Sequence, residues 1–141
     1  MTDNQRKSER YLLRIRNADR EMKLLYEQIQ YLRYKASGMG AIRYDKDHVQ
    51  TSPEDMVCEA IAEAVMLENK LFGRSRQLHD DLERTNEVLN LWDHDNYARV
   101  IEVYYLNHGS MGDVAHAINR SGRTAYRIKE EALERFAQYI V

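Results

Sequence analysis

Cys58 is the only cysteine in the chain, so neither a disulfide framework nor a thiolate zinc site can be built within one copy. A reducing, intracellular setting is the expectation. Proline occurs once and glycine six times in 141 residues, while charged residues make up 31% of the chain. That balance argues against a turn-rich sheet protein and favours long solvated helices. No apolar run approaches the roughly 18 residues of a spanning helix, and no hydrophobic leader segment follows Met1. We therefore expect no membrane partner, no secretory leader and a cytoplasmic location. An excess of positive charge is missing as well: the formal charge is −2, whereas proteins that hold nucleic acid unaided are commonly strongly basic.

The charge is uneven along the chain. Residues 1–35 carry nine Lys/Arg against five Asp/Glu, residues 36–92 carry six against eleven, and residues 93–141 carry six against seven. Within the last segment the arginines cluster over Arg120–Arg127, a stretch without an acid, and Glu130, Glu131 and Glu134 follow beyond it. Local sign favours an anionic partner there, with weak affinity unless a second copy or a protein partner adds to it.

The apolar pattern predicts an all-α protein. Ile15, Ala18, Met22, Leu25, Ile29 and Leu32 alternate spacings of three and four, a heptad seam that extends back to Tyr11 and predicts a helix over about 5–35. Tyr26, Tyr31 and Tyr34 widen its apolar surface and predict fuller packing toward the C-terminal end of that helix. Gly38 and Gly40 then stop it, and residues 36–52 form a connector. Ser52-Pro53-Glu54-Asp55 combines an N-cap, an N1 proline and first-turn acids, which starts a second long helix. Its seam reads Val57, Ile61, Ala64, Glu68, Leu71, Ser75, Leu78, Leu82, Thr85, Leu89 and Trp92, continuous or bent near Gly73. Residues 1–92 are thus expected to form a long coiled-coil hairpin, open to pairing with a second copy.

Residues 93–141 are expected to form a separate trihelical module. Asp93-His94-Asp95-Asn96 breaks the pattern and offers caps; Val100, Ile101, Val103, Tyr104 and Leu106 then mark a scaffold helix ending near Asn107-His108-Gly109. Tyr104-Tyr105 reads as core and rim. Ser110-Met111-Gly112-Asp113 has the S-x-x-D form of a capping box. Val114, Ala115 and Ile118 share one apolar face, Asn119-Arg120 interrupts it with a residue that tolerates the left-handed conformation, and Ser121 caps the next helix. Ala125, Ile128, Ala132, Leu133 and Phe136 form its buried stripe, leaving Arg123, Thr124, Tyr126, Arg127 and Lys129 on the rest of the first turns.

Chemical signals for catalysis are weak. His48, His79, His94, His108 and His116 lack any metal-ligand spacing. Cys58 shares a face with Val57 and Ile61 and reads as a buried packing residue. Asp80-Asp81 and Glu130-Glu131 are neighbours whose side chains point about 100° apart on a helix, so they read as solvated faces. No phosphate loop, nucleophile elbow or dinucleotide fingerprint occurs. We expect no enzyme, no cofactor and no metal site.

The run Asp113-Val114-Ala115, Ile118-Asn119-Arg120-Ser121-Gly122-Arg123-Thr124, Ile128 and Ala132-Leu133 resembles the −35-reading helix-turn-helix of bacterial sigma factors, region 4. More specifically it resembles small phage-encoded, sigma-like regulators of late transcription of the RinA and ArpU type. The segment Tyr44–Pro53 also looks like related phage proteins. Gly122 and Tyr126 stand where housekeeping factors commonly carry arginines, so no promoter preference follows. The resemblance implies a sequence-specific regulator in the cytoplasm of a bacterial host, with double-stranded DNA as partner, and RNA polymerase or a second copy meeting the hairpin. Arg123, Tyr126 and Arg127 are the base-side candidates. Arg120, Ser121 and Thr124, with backbone N–H groups near Gly122, are the phosphate candidates. The duller reading of Arg123 and Arg127 is helix solubility, outweighed by the capped helix and turn before them. Two other functions share this architecture: a small-terminase-like packaging protein and a helical protein–protein adaptor.

Overall fold

The computed structural model describes residues 1–37 and 53–140, which are helical with no strand among them. Helix α1 spans Asp3–Ala36 and α2 spans Pro53–Leu91. Three shorter helices follow: α3 (Asn96–Ile101), which continues into a π turn at Glu102–Leu106, α4 (Met111–Ile118) and α5 (Gly122–Phe136), closed by a 3-10 turn at Ala137–Tyr139. Helix α2 runs unbroken through Gly73, which is exposed with open space around it. The glycines at 38 and 40, the connector from 38 onward, the segment from Tyr44 and the Ser52 cap lie outside the described residues. No described helix is long and apolar enough to cross a membrane.

The chain divides into two compact units, Met1–Asp19 with Leu78–Val141, and Arg20–Gln77. The division does not fall at residue 92. Apolar residues from both long helices, Leu12 and Ile15 of α1 with Val88, Leu89 and Trp92 of α2, share one buried cluster with Ala98, Ile101, Tyr105, Leu133 and Phe136. Burial of that common surface holds α3 and α5 to α1 and α2, so the C-terminal helices have no core of their own at this face. A second cluster, Val100, Val114, Ile118, Ala125 and Ile128, joins α3, α4 and α5 alone.

Polar groups finish the first unit. Ser8 is fully buried and donates to the Leu133 carbonyl at 2.6 Å, which removes the cost of burying an unpaired hydroxyl. Asp95 accepts from the Ala98 N–H at 2.9 Å and caps α3, after Asp93 and His94 reverse the chain with φ of 53° and 51°. Arg16 donates to the carbonyls of Tyr104 and Gly109, so the end of the π turn is tied to α1. Gly109 itself sits where a Cβ would lie 2.8 Å from the Val103 carbonyl oxygen and 2.9 Å from its Cγ1. Gly109→Ala should therefore force a backbone shift and cost about 1–3 kcal/mol, read as a lowered denaturation midpoint.

In the second unit Leu25, Ile29 and Leu32 of α1 are buried, as are Ala60 and Ala64 of α2. The α1 seam is where the heptad reading places it, but the α2 seam is rotated at its start. Ala60, not Ile61, faces inward; Ile61 is 41% exposed. Adjacent helical residues diverge by about 100°, so small alanines on the inner face leave the larger Ile61 outside. Cys58 is exposed rather than packed, and Ser75 is exposed as well. Tyr26, Tyr31 and Tyr34 are all exposed, contrary to the expectation of fuller packing at that end. Among the described residues a single helix faces α1 here, and it covers only the narrow Leu25–Ile29–Leu32 stripe. Arg33 with Glu68 at 2.6 Å, and Arg74 with Glu21, bridge the two helices at the margin.

Candidate nucleic-acid interface

The site is built from the end of α4 and the beginning of α5. Helix α4 opens on a complete capping box: the Asp113 N–H donates to Ser110 Oγ at 3.1 Å, and the Ser110 N–H donates to Asp113 Oδ2 at 2.9 Å. Interactions of the Asp113 carboxyl with Ser110, the backbone N–H first and the hydroxyl second, hold it below the usual carboxylate range. Val114 and Ile118 are buried, which fixes which side of α4 faces inward.

At the other end Asn119 adopts the left-handed conformation, φ 56° and ψ 48°. Its N–H reaches the His116 carbonyl at 3.2 Å, and the Arg120 N–H reaches the Ala115 carbonyl at 3.0 Å. These bonds satisfy the last carbonyls of α4 and reverse the chain within three residues. Ser121, extended at φ −68° and ψ 159°, then accepts from the Thr124 N–H at 3.3 Å and caps α5, while its own hydroxyl donates to Thr124 Oγ1 at 3.0 Å.

Helix α5 buries Ala125, Ile128, Ala132, Leu133 and Phe136, as the stripe predicts. Arg120, Ser121, Gly122, Arg123, Tyr126 and Arg127 are exposed, and Thr124 is half-buried. The seven site residues are thus brought together at one helix end and the turn before it. Gly122 has open space where a Cβ would stand, so its backbone is approachable but glycine is not required by packing.

Pairing distinguishes these residues from several other cations of the unit, though Arg10 and Arg84 also lack an ion pair and a side-chain hydrogen bond among the described residues. Among the described residues, Arg120, Arg123 and Arg127 make no ion pair and no side-chain hydrogen bond. Several other arginines are committed: Arg14 pairs with Asp81 at 2.9 Å, Arg99 donates to the Ala117 carbonyl at 3.2 Å, and Arg135 pairs with Asp95 at 3.5 Å while stacking on Trp92 and Tyr97. The acids further along α5 are also engaged. Glu131 accepts from the Tyr97 hydroxyl at 2.8 Å, a bond that pushes the Tyr97 pKa up. Glu134 accepts from Thr2 and Asn4, and those bonds pull its carboxyl down.

Two sequence expectations need correction. Lys129 is buried, with Nζ 3.8 Å from Glu9 and 4.4 Å from the Tyr104 ring centroid, so it is not part of the exposed basic surface. Its position four residues after Ala125 puts it on the inner stripe, and its long stem lets the ammonium reach Glu9 from there. Asp81 is likewise buried beside Arg14 rather than on a solvated face. It borders a mainly acidic cleft of about 420 Å³ with Tyr11, Asp80, Glu83, Arg84 and Glu87, where burial first and the Asp81 charge second raise the Tyr11 hydroxyl to about 12. Arg16 escaped sequence reasoning because it reads as a seam flank; only the spatial meeting of α1 with the π turn reveals it as a clamp on two carbonyls.

No family model, no curated protein and no solved structure matches the chain.

Proposed function

We propose that this chain is a sequence-specific DNA-binding regulator of transcription, in which α4, the Asn119–Ser121 turn and α5 act as a helix-turn-helix and α5 enters the major groove. One observation carries the reading: three arginines unpaired within the described residues gather at the capped, exposed N-terminal end of a 15-residue helix whose opposite side is locked into the core. Exposed N–H groups and the positive end of the helix dipole add to the attraction for phosphate. A side chain with no internal ion pair loses none when it meets DNA, so the cost of binding is low for these three and higher for Arg14 or Arg135. Binding rather than catalysis is the proposed activity, and the resemblance to phage-encoded, sigma-like regulators of late transcription directs it to phage late genes. RNA polymerase is the proposed protein partner.

The test is selection of duplexes from a random pool by the full chain at low salt, followed by titration of the enriched sequence. Convergence on one sequence, with affinity that falls as salt rises, supports the reading. Recovery of no sequence, together with no affinity for any duplex at low salt, sinks it in favour of the adaptor. Lys129→Met provides an internal control. Because Lys129 is spent on Glu9 and Tyr104, duplex affinity and its salt slope should be unchanged in a fluorescence anisotropy series. A slope lowered by about one unit would place Lys129 on a phosphate after all.

A further inference from the structure

Helix α2 carries a second apolar stripe that α1 does not cover. Ile61, Val65 and Phe72 are 41%, 43% and 64% exposed, and at spacings of four and seven they lie on one side of the helix, well away from the buried Ala60 and Ala64. Cys58, Asn69 and Arg76 continue the same row and are exposed too, with Glu54 at its N-terminal end.

The row has a symmetry of its own. Positions 61 and 69, 58 and 72, and 54 and 76 lie equally far on either side of Val65. Laid antiparallel on a second α2 about a two-fold axis at Val65, the row sets Val65 against Val65, Ile61 against Asn69, Cys58 against Phe72 and Glu54 against Arg76. Charge along the helix changes sign between Glu68 and Lys70, about four residues beyond that centre. From 54 to 68 its charged residues are all acidic, and from 70 to 76 all basic. Antiparallel pairing about Val65 sets residues 54–60, with Glu54, Asp55 and Glu59, against residues 70–76, with Lys70, Arg74 and Arg76, whereas parallel pairing would stack like on like. Glu63 and Glu68 fall in the central overlap, and Glu68 and Arg74 are held by Arg33 and Glu21 of α1, so Glu54 against Arg76 is the pair that the row itself brings together. We propose that the chain forms a homodimer through this face of α2, antiparallel and centred on Val65. The dimer interface needs no DNA and stands independently of the DNA-binding reading.

Full-length variants test it without DNA. In a Cys58→Ser background, Val65→Cys should become a disulfide-linked dimer under mild oxidation. Phe72→Cys with Cys58 retained should also cross-link, through Cys58 of one copy and the new cysteine of the other. The unaltered chain should not, because in this register its two Cys58 residues are fourteen positions apart, about 21 Å along the helix and far beyond disulfide reach. Sedimentation should give a dimer for the unaltered chain and a monomer for Val65→Asp, with the helical circular dichroism of Val65→Asp unchanged because the position is exposed. Glu54→Arg should weaken the dimer at low salt, and Glu54→Arg with Arg76→Glu should restore it. A monomeric unaltered chain, ready cross-linking through Cys58 alone, no cross-link at Val65→Cys, or a dimer indifferent to Val65→Asp would each overturn the proposal.

Discussion

Phe136→Ala is expected to cost about 3–5 kcal/mol, the range for truncating a buried aromatic side chain. Phe136 is fully buried near the end of α5. Its ring lies 5.7 Å from the Tyr11 ring of α1 and 6.4 Å, nearly perpendicular, from the Trp92 ring beyond α2. Removing it opens a cavity between three elements held apart by other contacts, so collapse into the space is restricted. Edge-to-face ring interactions lost with it add to the transfer term. Against a typical domain stability of about 5–15 kcal/mol, such a loss leaves little margin. Denaturant unfolding of the variant beside the parent chain, followed by tryptophan fluorescence of Trp92, measures it. A cost under about 1 kcal/mol would mean that α5 is not anchored through this residue.

The same junction explains why some of the fold was legible in the sequence and some was not. The boundaries of α4 and α5 are written in local chemistry: Ser110 and Asp113 cap each other, Asn119 turns left-handed, and Ser121 caps again. Each of these depends on residues within four positions, which a linear pattern exposes. The sharing of Leu12, Ile15, Leu89 and Trp92 with α5 depends on residues more than forty positions away. No periodicity records that, and a boundary drawn at residue 92 follows the end of a helix instead of the end of a core. In α2 the periodic signal was present but ambiguous. Ala60 and Ile61 both fit a three-four spacing, and only the narrow gap opposite Leu32 selects the alanine. Lys129 shows the same limit at a single residue, since residue type suggested solvent while its helical position dictated burial.

The candidate site is built of locally coded parts, which makes its arginines a sharp test. Arg123 and Arg127 are one turn apart and exposed at the start of α5, so both should reach one groove. A bidentate contact from either to a guanine should make its replacement by alanine cost roughly 1–3 kcal/mol on the selected duplex, with relaxed preference at that base pair. The double variant should lose about twice as much if the two read separate bases. Arg120 stands in the turn, ahead of the Ser121 cap, and should touch phosphate. Arg120→Ala should then weaken binding to selected and scrambled duplexes alike and lower the salt slope by about one unit. Since none of the three has an ion pair or side-chain hydrogen bond among the described residues, their removal should leave the unfolding midpoint within the small range of exposed substitutions. Loss of binding then cannot be a loss of fold. Titration of all four variants against both duplexes across a salt series reads out each term separately. An unchanged ratio of selected to scrambled affinity in Arg123→Ala and Arg127→Ala would show that α5 does not read bases through these side chains.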